Sequence, residues 1–270
     1  MSDRSTPGTI RDHYESQGSA DGLLADIGDP SQDIGPALDQ FHVGGTKATH
    51  RLLAQIDLPA GAHVLDVGSG LGGPARLLAE TRNWRVTGVD LAPEFCRIAT
   101  ALSRRADKAV QTAFCAGDAL RLPFTSGLFD AVWTEHVAMN IGARDDLYRE
   151  LGRVVRVGGS LALYDVVAGE NTTPLSYPVP WAREPSHSHL VTAEVLRERV
   201  RDAGWTELIW NDESGFARDW LANMRPPKGS SGPSLRRVMG DDFPAMTANL
   251  RDNFADGRLG AVQAVFERRI

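Results

Sequence analysis

Residues 63–73 read His-Val-Leu-Asp-Val-Gly-Ser-Gly-Leu-Gly-Gly, a short apolar run with an acid near its end that breaks into a glycine-rich turn. The run predicts a buried strand and the turn predicts the start of a helix. Gly68, Gly70 and Gly73 let the backbone pass close under a bound nucleoside. The same spacing satisfies Gly-x-Gly-x-x-Gly, the dinucleotide fingerprint, so the glycines alone leave the ligand open. Asp66 narrows the choice. A carboxylate two residues before the first glycine repels pyrophosphate at short range but suits a ligand that carries positive charge.

A second acid closes Val86-Thr87-Gly88-Val89-Asp90, where the last carboxylate can accept both hydroxyls of a ribose. Further on come Phe114-Cys115-Ala116-Gly117-Asp118-Ala119-Leu120, Leu122-Pro123-Phe124, Phe129-Asp130-Ala131-Val132-Trp133 and Arg153-Val154-Val155-Arg156-Val157-Gly158-Gly159. Strands are predicted near 63–67, 85–90, 111–115, 129–134 and 160–166, and helices near 73–81, 93–106, 145–155 and 192–203. Such alternation predicts a parallel sheet with helices on both faces and ligands at the carboxyl ends of the strands. Gly88 and Gly117 read as turn residues, and Asp130 as an anchor of the strand that follows it.

With these motifs in this order, the chain resembles the class I S-adenosylmethionine-dependent methyltransferases from about residue 40 to 167. The resemblance implies an α/β fold with a Rossmann-like sheet and S-adenosylmethionine as cofactor, whose ammonium and sulfonium suit Asp66. Position by position it implies Asp66, Gly68, Ser69 and Gly70 at the methionine end and Asp90 with Leu91 at the ribose. Asp118 with Ala119 falls at the adenine, whose exocyclic amine a carboxylate can accept, and Glu135 is a further cofactor contact. Ser69 departs from the commonest pattern, in which cysteine is frequent. Asn140 stands where many relatives carry a histidine.

Around that core the chain divides into an N-terminal helical cap (1–56), the cofactor-binding core (57–167), a proline- and aromatic-rich lid loop (168–191) and a C-terminal part (192–270) that completes the sheet with inserted helices. Residues 10–28 read as two short helices, and Asp29-Pro30 as a turn. A further helix from about Thr46 to Gln55 leads into the first strand. The loop carries Pro174, Pro178, Pro180 and Pro185 among Tyr177, Trp181, His187 and His189, too many prolines for a core helix. Residues 215–260 look helical around a loop at Pro226–Pro233, with Phe216, Trp220, Met224, Phe243, Met246 and Phe254 read as core, and 261–266 as the last strand.

A methyl group on a sulfonium is already electrophilic. Such an enzyme aligns the nucleophile, excludes water and, for a protonated acceptor, removes a proton. His42, His136 and Tyr14 are the candidates for that base. His42 lies beside Gly44-Gly45, His136 follows the fourth strand, and Tyr14 precedes Glu15 in the cap. Phe41, Met139, Asn140, Tyr177 and Trp181 are the candidate acceptor contacts. Similar chains methylate carbon or nitrogen of amino-acid-derived, aromatic or polyketide-type metabolites, so a small-molecule acceptor is expected. A nicotinamide oxidoreductase and a catalytically silent nucleoside-binding protein are the alternative readings. The former fits poorly with Asp66 and with Gly117-Asp118.

Composition agrees. With 29 basic against 35 acidic residues and a net charge of −6, no phosphate-binding groove for nucleic acid is expected. Lysine is confined to Lys47, Lys108 and Lys228, a bias of GC-rich bacterial genomes. Cys96 and Cys115 read as free thiols in a reducing compartment. His187 and His189 lack an acid or cysteine partner, so no metal is expected. No apolar run approaches the ~20 residues of a membrane span, and Met-Ser-Asp-Arg-Ser lacks a signal-peptide core, so a cytoplasmic location is expected. The oligomeric state is not legible.

Overall fold

The computed structural model describes residues 20–29, 38–107, 111–224 and 235–269. Its strands are β1 (His63–Val67), β2 (Arg85–Asp90), β3 (Thr112–Ala116), β4 (Phe129–Glu135), β5 (Val155–Ala168), β6 (Trp205–Asp212) and β7 (Leu259–Arg268). They form a 7-stranded sheet in the order β3-β2-β1-β4-β5-β7-β6. The first five are parallel, and β7 runs antiparallel to β5 and to β6. The helices are α1 (Ala20–Gly28), α2 (Thr46–Leu53), α3 (Gly73–Arg82), α4 (Pro93–Arg105), α5 (Arg144–Val154), α6 (Ala193–Asp202), α7 (Ser214–Asn223), α8 (Leu235–Met239) and α9 (Phe243–Ala255). Pro74 and Pro93 stand in the first turns of α3 and α4, where a missing N–H costs nothing.

Side-chain alternation assigns the two faces. Leu65 and Val67 of β1 pack beneath α5 and α6 with Leu147, Leu151, Leu196 and Val200. Val64 faces the other layer, where α2, α3, α7 and α9 contribute Leu52, Leu78, Leu221 and Phe254. Asp66 shares that second face by the same alternation. A third cluster joins α1 to α4 through Leu23, Ile27, Ile98 and Leu102.

Several local expectations change. Gly88 is not a turn residue: it lies inside β2, level with Asp66 and Phe114, and a Cβ there would stand 2.4 Å from the Phe114 ring. It is glycine for packing. β5 begins at Val155, ahead of the expected residue 160, with Gly158 at φ +73 and a register irregularity against β4. β6 was not foreseen. Its alternation is blurred because Leu208 faces solvent while Glu207 turns to Arg197 and Arg201. Asp130 does act as an anchor, accepting from the His63 N–H at 2.8 Å and the Arg156 Nε at 2.8 Å. Cys96 and Cys115 are free.

The loop after β5 is fastened along its length. Asn253 of α9 accepts the Ser176 N–H at 2.9 Å and donates to the Ser176 carbonyl at 3.0 Å; Asn249 donates to Pro178 O and Arg258 to Pro174 O, both at 3.0 Å. Arg183 pairs with Asp242, and Arg144 donates to His189 O. Among the described residues no helix is long and apolar enough to cross a membrane.

Candidate active site

The glycine loop leaves the end of β1 in a conformation few side chains tolerate: Gly68 has φ +71 and Gly70 φ +50. A Cβ on Gly68 would stand 2.5 Å from Val137, and one on Gly70 3.3 Å from the Phe41 ring. Asp90, at the end of β2, accepts the Gly70 N–H at 2.8 Å and the Ala92 N–H at 2.9 Å, so it shapes the loop from below. Asp118 accepts the Leu120 N–H at 2.9 Å through one oxygen. Arg76 of α3 reaches Leu71 O at 2.8 Å, Ala99 O at 3.2 Å and the carboxylate of Asp39. That last contact ties the 39–45 strap to the helix that follows the glycine loop.

One cavity of ≈ 240 Å³ joins these parts. At one end lie Gly68, Gly70, Asp90, Leu91, Gly117, Asp118 and Ala119. Its other end is apolar, walled by Val43 of the strap, Met139, Trp181 of the loop, Trp220 and Met224 of α7, and Phe243 and Leu250 of α9, while Phe41 of the strap lies over Gly70, its ring 5.9 Å from that of Phe95. His42, Glu135 and His136 stand between the two, with Asn140 beside them. Of the expected site residues, Asp66, Ser69 and Tyr177 lie behind this surface, and Tyr14 lies outside the described residues. Tyr177 packs against the core instead. Gly117, read as an ordinary turn, is part of the lining. The aromatic and methionine stripe of 215–260, read as core, splits: Met246 and Phe254 are buried, while Trp220, Met224 and Phe243 face the cavity. Helical spacing alone cannot separate a face that packs on protein from one that packs on a ligand.

Consecutive strand residues point to opposite faces, so Glu135 and His136 should not share a cavity. They do because His136 takes φ +57, a left-handed conformation costly for a residue with a Cβ. The turn is held from two sides. The His136 N–H donates to Tyr164 O at 2.7 Å, and the next two amides, Val137 and Ala138, donate to Asp165 Oδ1 at 3.0 and 3.2 Å. The His136 ring then lies 4.8 Å from that of Tyr164 and 6.1 Å from that of His42.

Glu135 Oε2 accepts the Thr49 hydroxyl at 3.1 Å and stands 3.6 Å from His42 Nδ1. His42 Nε2 lies 2.9 Å from Gly45 O, a carbonyl that can only accept, so the ring proton sits on Nε2 and Nδ1 is bare. Burial pushes the Glu135 carboxyl up to about 8 and pulls His42 down to about 4. Burial, reinforced by His42, holds His136 well below the usual histidine range. Burial, then coupling to the neighbouring carboxyls of Glu135 and Asp90, holds Asp66 well above the usual carboxylate range. At neutral pH Glu135 is therefore protonated and both imidazoles are neutral.

The residues fit a ligand with a positive centre. Asp66 Oδ2 and Glu135 Oε1 are buried without a hydrogen-bond partner, and the acids of this end meet no lysine or arginine in the described lining. Such groups are costly unless a donor or cation completes them. The open backbone over Gly68 and Gly70 is a place for close approach, and the second Asp118 oxygen is available to an amine.

Residues 65–163 match the family described as a methyltransferase domain. The chain is 27% identical over 220 residues to the 27-O-demethylrifamycin SV methyltransferase of Amycolatopsis mediterranei, covering 80% of this chain and 81% of that one. It is 33% identical over 131 residues to the methyltransferase GfsG of Streptomyces halstedii, where the match covers 48% of this chain and 47% of the relative. Among solved structures, geranyl diphosphate C-methyltransferase from Streptomyces coelicolor, in complex with Mg2+, geranyl diphosphate and S-adenosyl-L-homocysteine, superposes with a TM-score of 0.71 at 16% identity, covering 98% of this chain and 99% of that one. At that identity the superposition speaks for the fold. Residues 65–163 are thus a methyltransferase domain of the class I S-adenosylmethionine-dependent type, and S-adenosylmethionine is its cofactor.

Proposed function

We propose that the protein transfers a methyl group from S-adenosylmethionine to a nucleophilic atom of a small, largely apolar acceptor of polyketide or aromatic type. The observation that carries this reading is the single cavity running from the glycine loop to the aromatic chamber, with titratable groups at the joint between them. When bound, the cofactor supplies the electrophilic methyl; everything else is the work of the chain. Gly68 and Gly70 take the methionine end, and Asp66 and Ser69 support that end from behind the surface. Asp90 and Leu91 take the ribose, and Asp118 and Ala119 the adenine. Phe41, Met139, Asn140 and Trp181 hold the acceptor and exclude water, and Trp220 and Phe243 join them as contacts the sequence did not single out. Tyr177 acts on the acceptor only by backing the loop. The stitched 173–190 segment serves as a fixed wall rather than a flap. His136 and Glu135 face the reacting atom, and His42 backs Glu135.

The rifamycin relative favours a polyketide-type acceptor. The experiment is a mass-spectrometric screen of such metabolites for gain of one methyl group in the presence of protein and S-adenosylmethionine. It is paired with calorimetric titration of S-adenosylhomocysteine. Binding of S-adenosylhomocysteine together with a methylated product supports the reading. Absence of binding overturns it.

A further inference from the structure

β1 and β4 pair as far as Val67 beside Thr134, so Gly68 and Glu135 are the next residues of neighbouring strand ends, and both line the cavity. A ligand over Gly68 therefore sits against Glu135. The groups facing this carboxyl come from every neighbouring element. The strap contributes His42, β1 contributes Asp66 with Asp90 of β2 beyond it, and β5 contributes Tyr164. His136 adjoins it on its own strand. None is a cation at neutral pH: the histidines are neutral, the aspartates are acids, and burial raises the Tyr164 phenol. Arg51, the nearest arginine on α2, is bound to Glu213 through two hydrogen bonds of 3.1 and 2.8 Å. Among the described residues Oε1 of Glu135 makes no hydrogen bond of normal geometry, and the indole N–H of Trp133 on the same strand is the donor near this carboxyl.

We infer that Glu135 is a proton switch thrown by the charge on the cofactor sulfur: it keeps its proton in the empty and S-adenosylhomocysteine-bound protein and gives it up when a positively charged sulfur is beside it. The inference rests on the cofactor reading above. In the release, the carboxyl O–H bond breaks, its electron pair stays on Glu135, and the proton passes to the buffer. A cation within ~4–6 Å lowers a carboxyl pKa by ~1–3 units. Starting from about 8, that carries Glu135 at pH 7 from mostly protonated to about half or more ionised. S-adenosylhomocysteine keeps the ammonium but has a neutral thioether, so the two ligands differ at this point alone.

The consequence is a base that exists only while an unreacted methyl donor is bound. Glu135 as a carboxylate can take a proton from the acceptor, with the Thr49 hydroxyl holding its other oxygen in place. Once the methyl has left and the sulfur is neutral, the proton affinity of Glu135 rises again, which favours keeping the acceptor's proton.

The test is calorimetry on the full chain at pH 7 in buffers of different ionisation enthalpy, titrating S-adenosylmethionine, S-adenosylhomocysteine and sinefungin, an analogue with an amine at the sulfur position. S-adenosylmethionine and sinefungin should each release about half to one proton more than S-adenosylhomocysteine. That excess should disappear at pH 9.5, where Glu135 is already ionised, and in Glu135→Gln. Glutamine is the isostere of the protonated side chain, so the variant should fold and still bind all three ligands. Equal proton counts for the charged and neutral ligands in the wild type overturn the switch and leave the cofactor reading standing. An undiminished excess in Glu135→Gln overturns it by placing the proton elsewhere, with Asp66 next in line. Failure to bind any of the three overturns both readings.

Discussion

The carboxylate of Asp90 accepts the amide proton of Gly70 at 2.8 Å and, through its other oxygen, that of Ala92 at 2.9 Å. One side chain therefore fixes the curve of the glycine loop and the entry to α4 before any ribose arrives. Asp90→Ala is expected to weaken S-adenosylhomocysteine binding by roughly 1.5–3 kcal/mol, about ten- to a hundredfold, and to lower thermal stability as well. Asp90→Asn, which can still accept one amide, should recover part of the stability. Calorimetry and thermal unfolding of both variants check this, and wild-type affinity in Asp90→Ala would remove Asp90 from the cofactor site.

Stability should carry the mark of Glu135. Folding raises its carboxyl from the ordinary 4.5 to about 8, so between those values the folded chain binds a proton that the unfolded chain does not. Stability then falls as pH rises through that window and levels above about 8. His42 acts from the other side. Its imidazole drops from 6.5 to about 4 on folding, so stability is lost as pH falls from 6.5 towards 4. Glu135→Gln removes only the first slope. The variant should match the wild type near pH 5 and exceed it at pH 8.5 by at least about 1 kcal/mol, or about 2–4 °C in Tm. Identical pH profiles for the two proteins would show that Glu135 titrates normally.

His136 joins an unusual backbone to an imidazole, and two substitutions separate them. His136→Ala removes the ring but keeps the Cβ in the left-handed region, whereas His136→Gly removes both. If the ring works on the acceptor, both variants should lose about a hundredfold or more in turnover while S-adenosylhomocysteine affinity stays near wild type. The glycine variant should be the more stable of the two. Near-normal turnover in either would exclude the ring from proton handling.

The loop after β5 should resist proteases with or without ligand, because Asn253, Asn249 and Arg258 already hold its backbone. Asn253→Ala leaves the Ser176 N–H and carbonyl unpaired and should cost about 1–3 kcal/mol. It should also open cleavage near residues 173–178 under conditions where the wild type is intact. If ligands slow cleavage of the wild-type loop severalfold, the segment moves and is not a fixed wall.

The cofactor end was legible because its chemistry is local: strand, glycine turn and terminal acid lie within a dozen residues, and each repeats a rule about backbone and charge. β1, β2 and the helices after them fall where periodicity put them, give or take a residue. The acceptor end was legible only in part. His42 and Trp181 come from loops whose closure no local pattern encodes, and Trp220 and Phe243 wear the spacing of ordinary core helices. The resemblance implies Glu135, the last residue of β4, only as a cofactor contact. Its link to Thr49 and His42 spans 86 residues in one case and depends on how the strap lies. β6 was missed because an edge strand with Leu208 outside and Glu207 salt-bridged lacks clean alternation.

The bond between Arg76 and Asp39 joins two parts of the chain that serve the two ends of the cavity. Arg76 lies in the stretch matched by the methyltransferase family, and Asp39 lies before it, in the segment that brings Phe41 and His42 to the cavity. Most of the aromatic chamber is likewise recruited from outside that stretch, from Trp181, Trp220 and Phe243. The donor apparatus and the acceptor walls thus come from different stretches of the chain, tied together at a few points. Exchange of the outlying segments between relatives, with a residue like Asp39 retained, offers a route to a new acceptor that leaves the grip on the methyl donor intact.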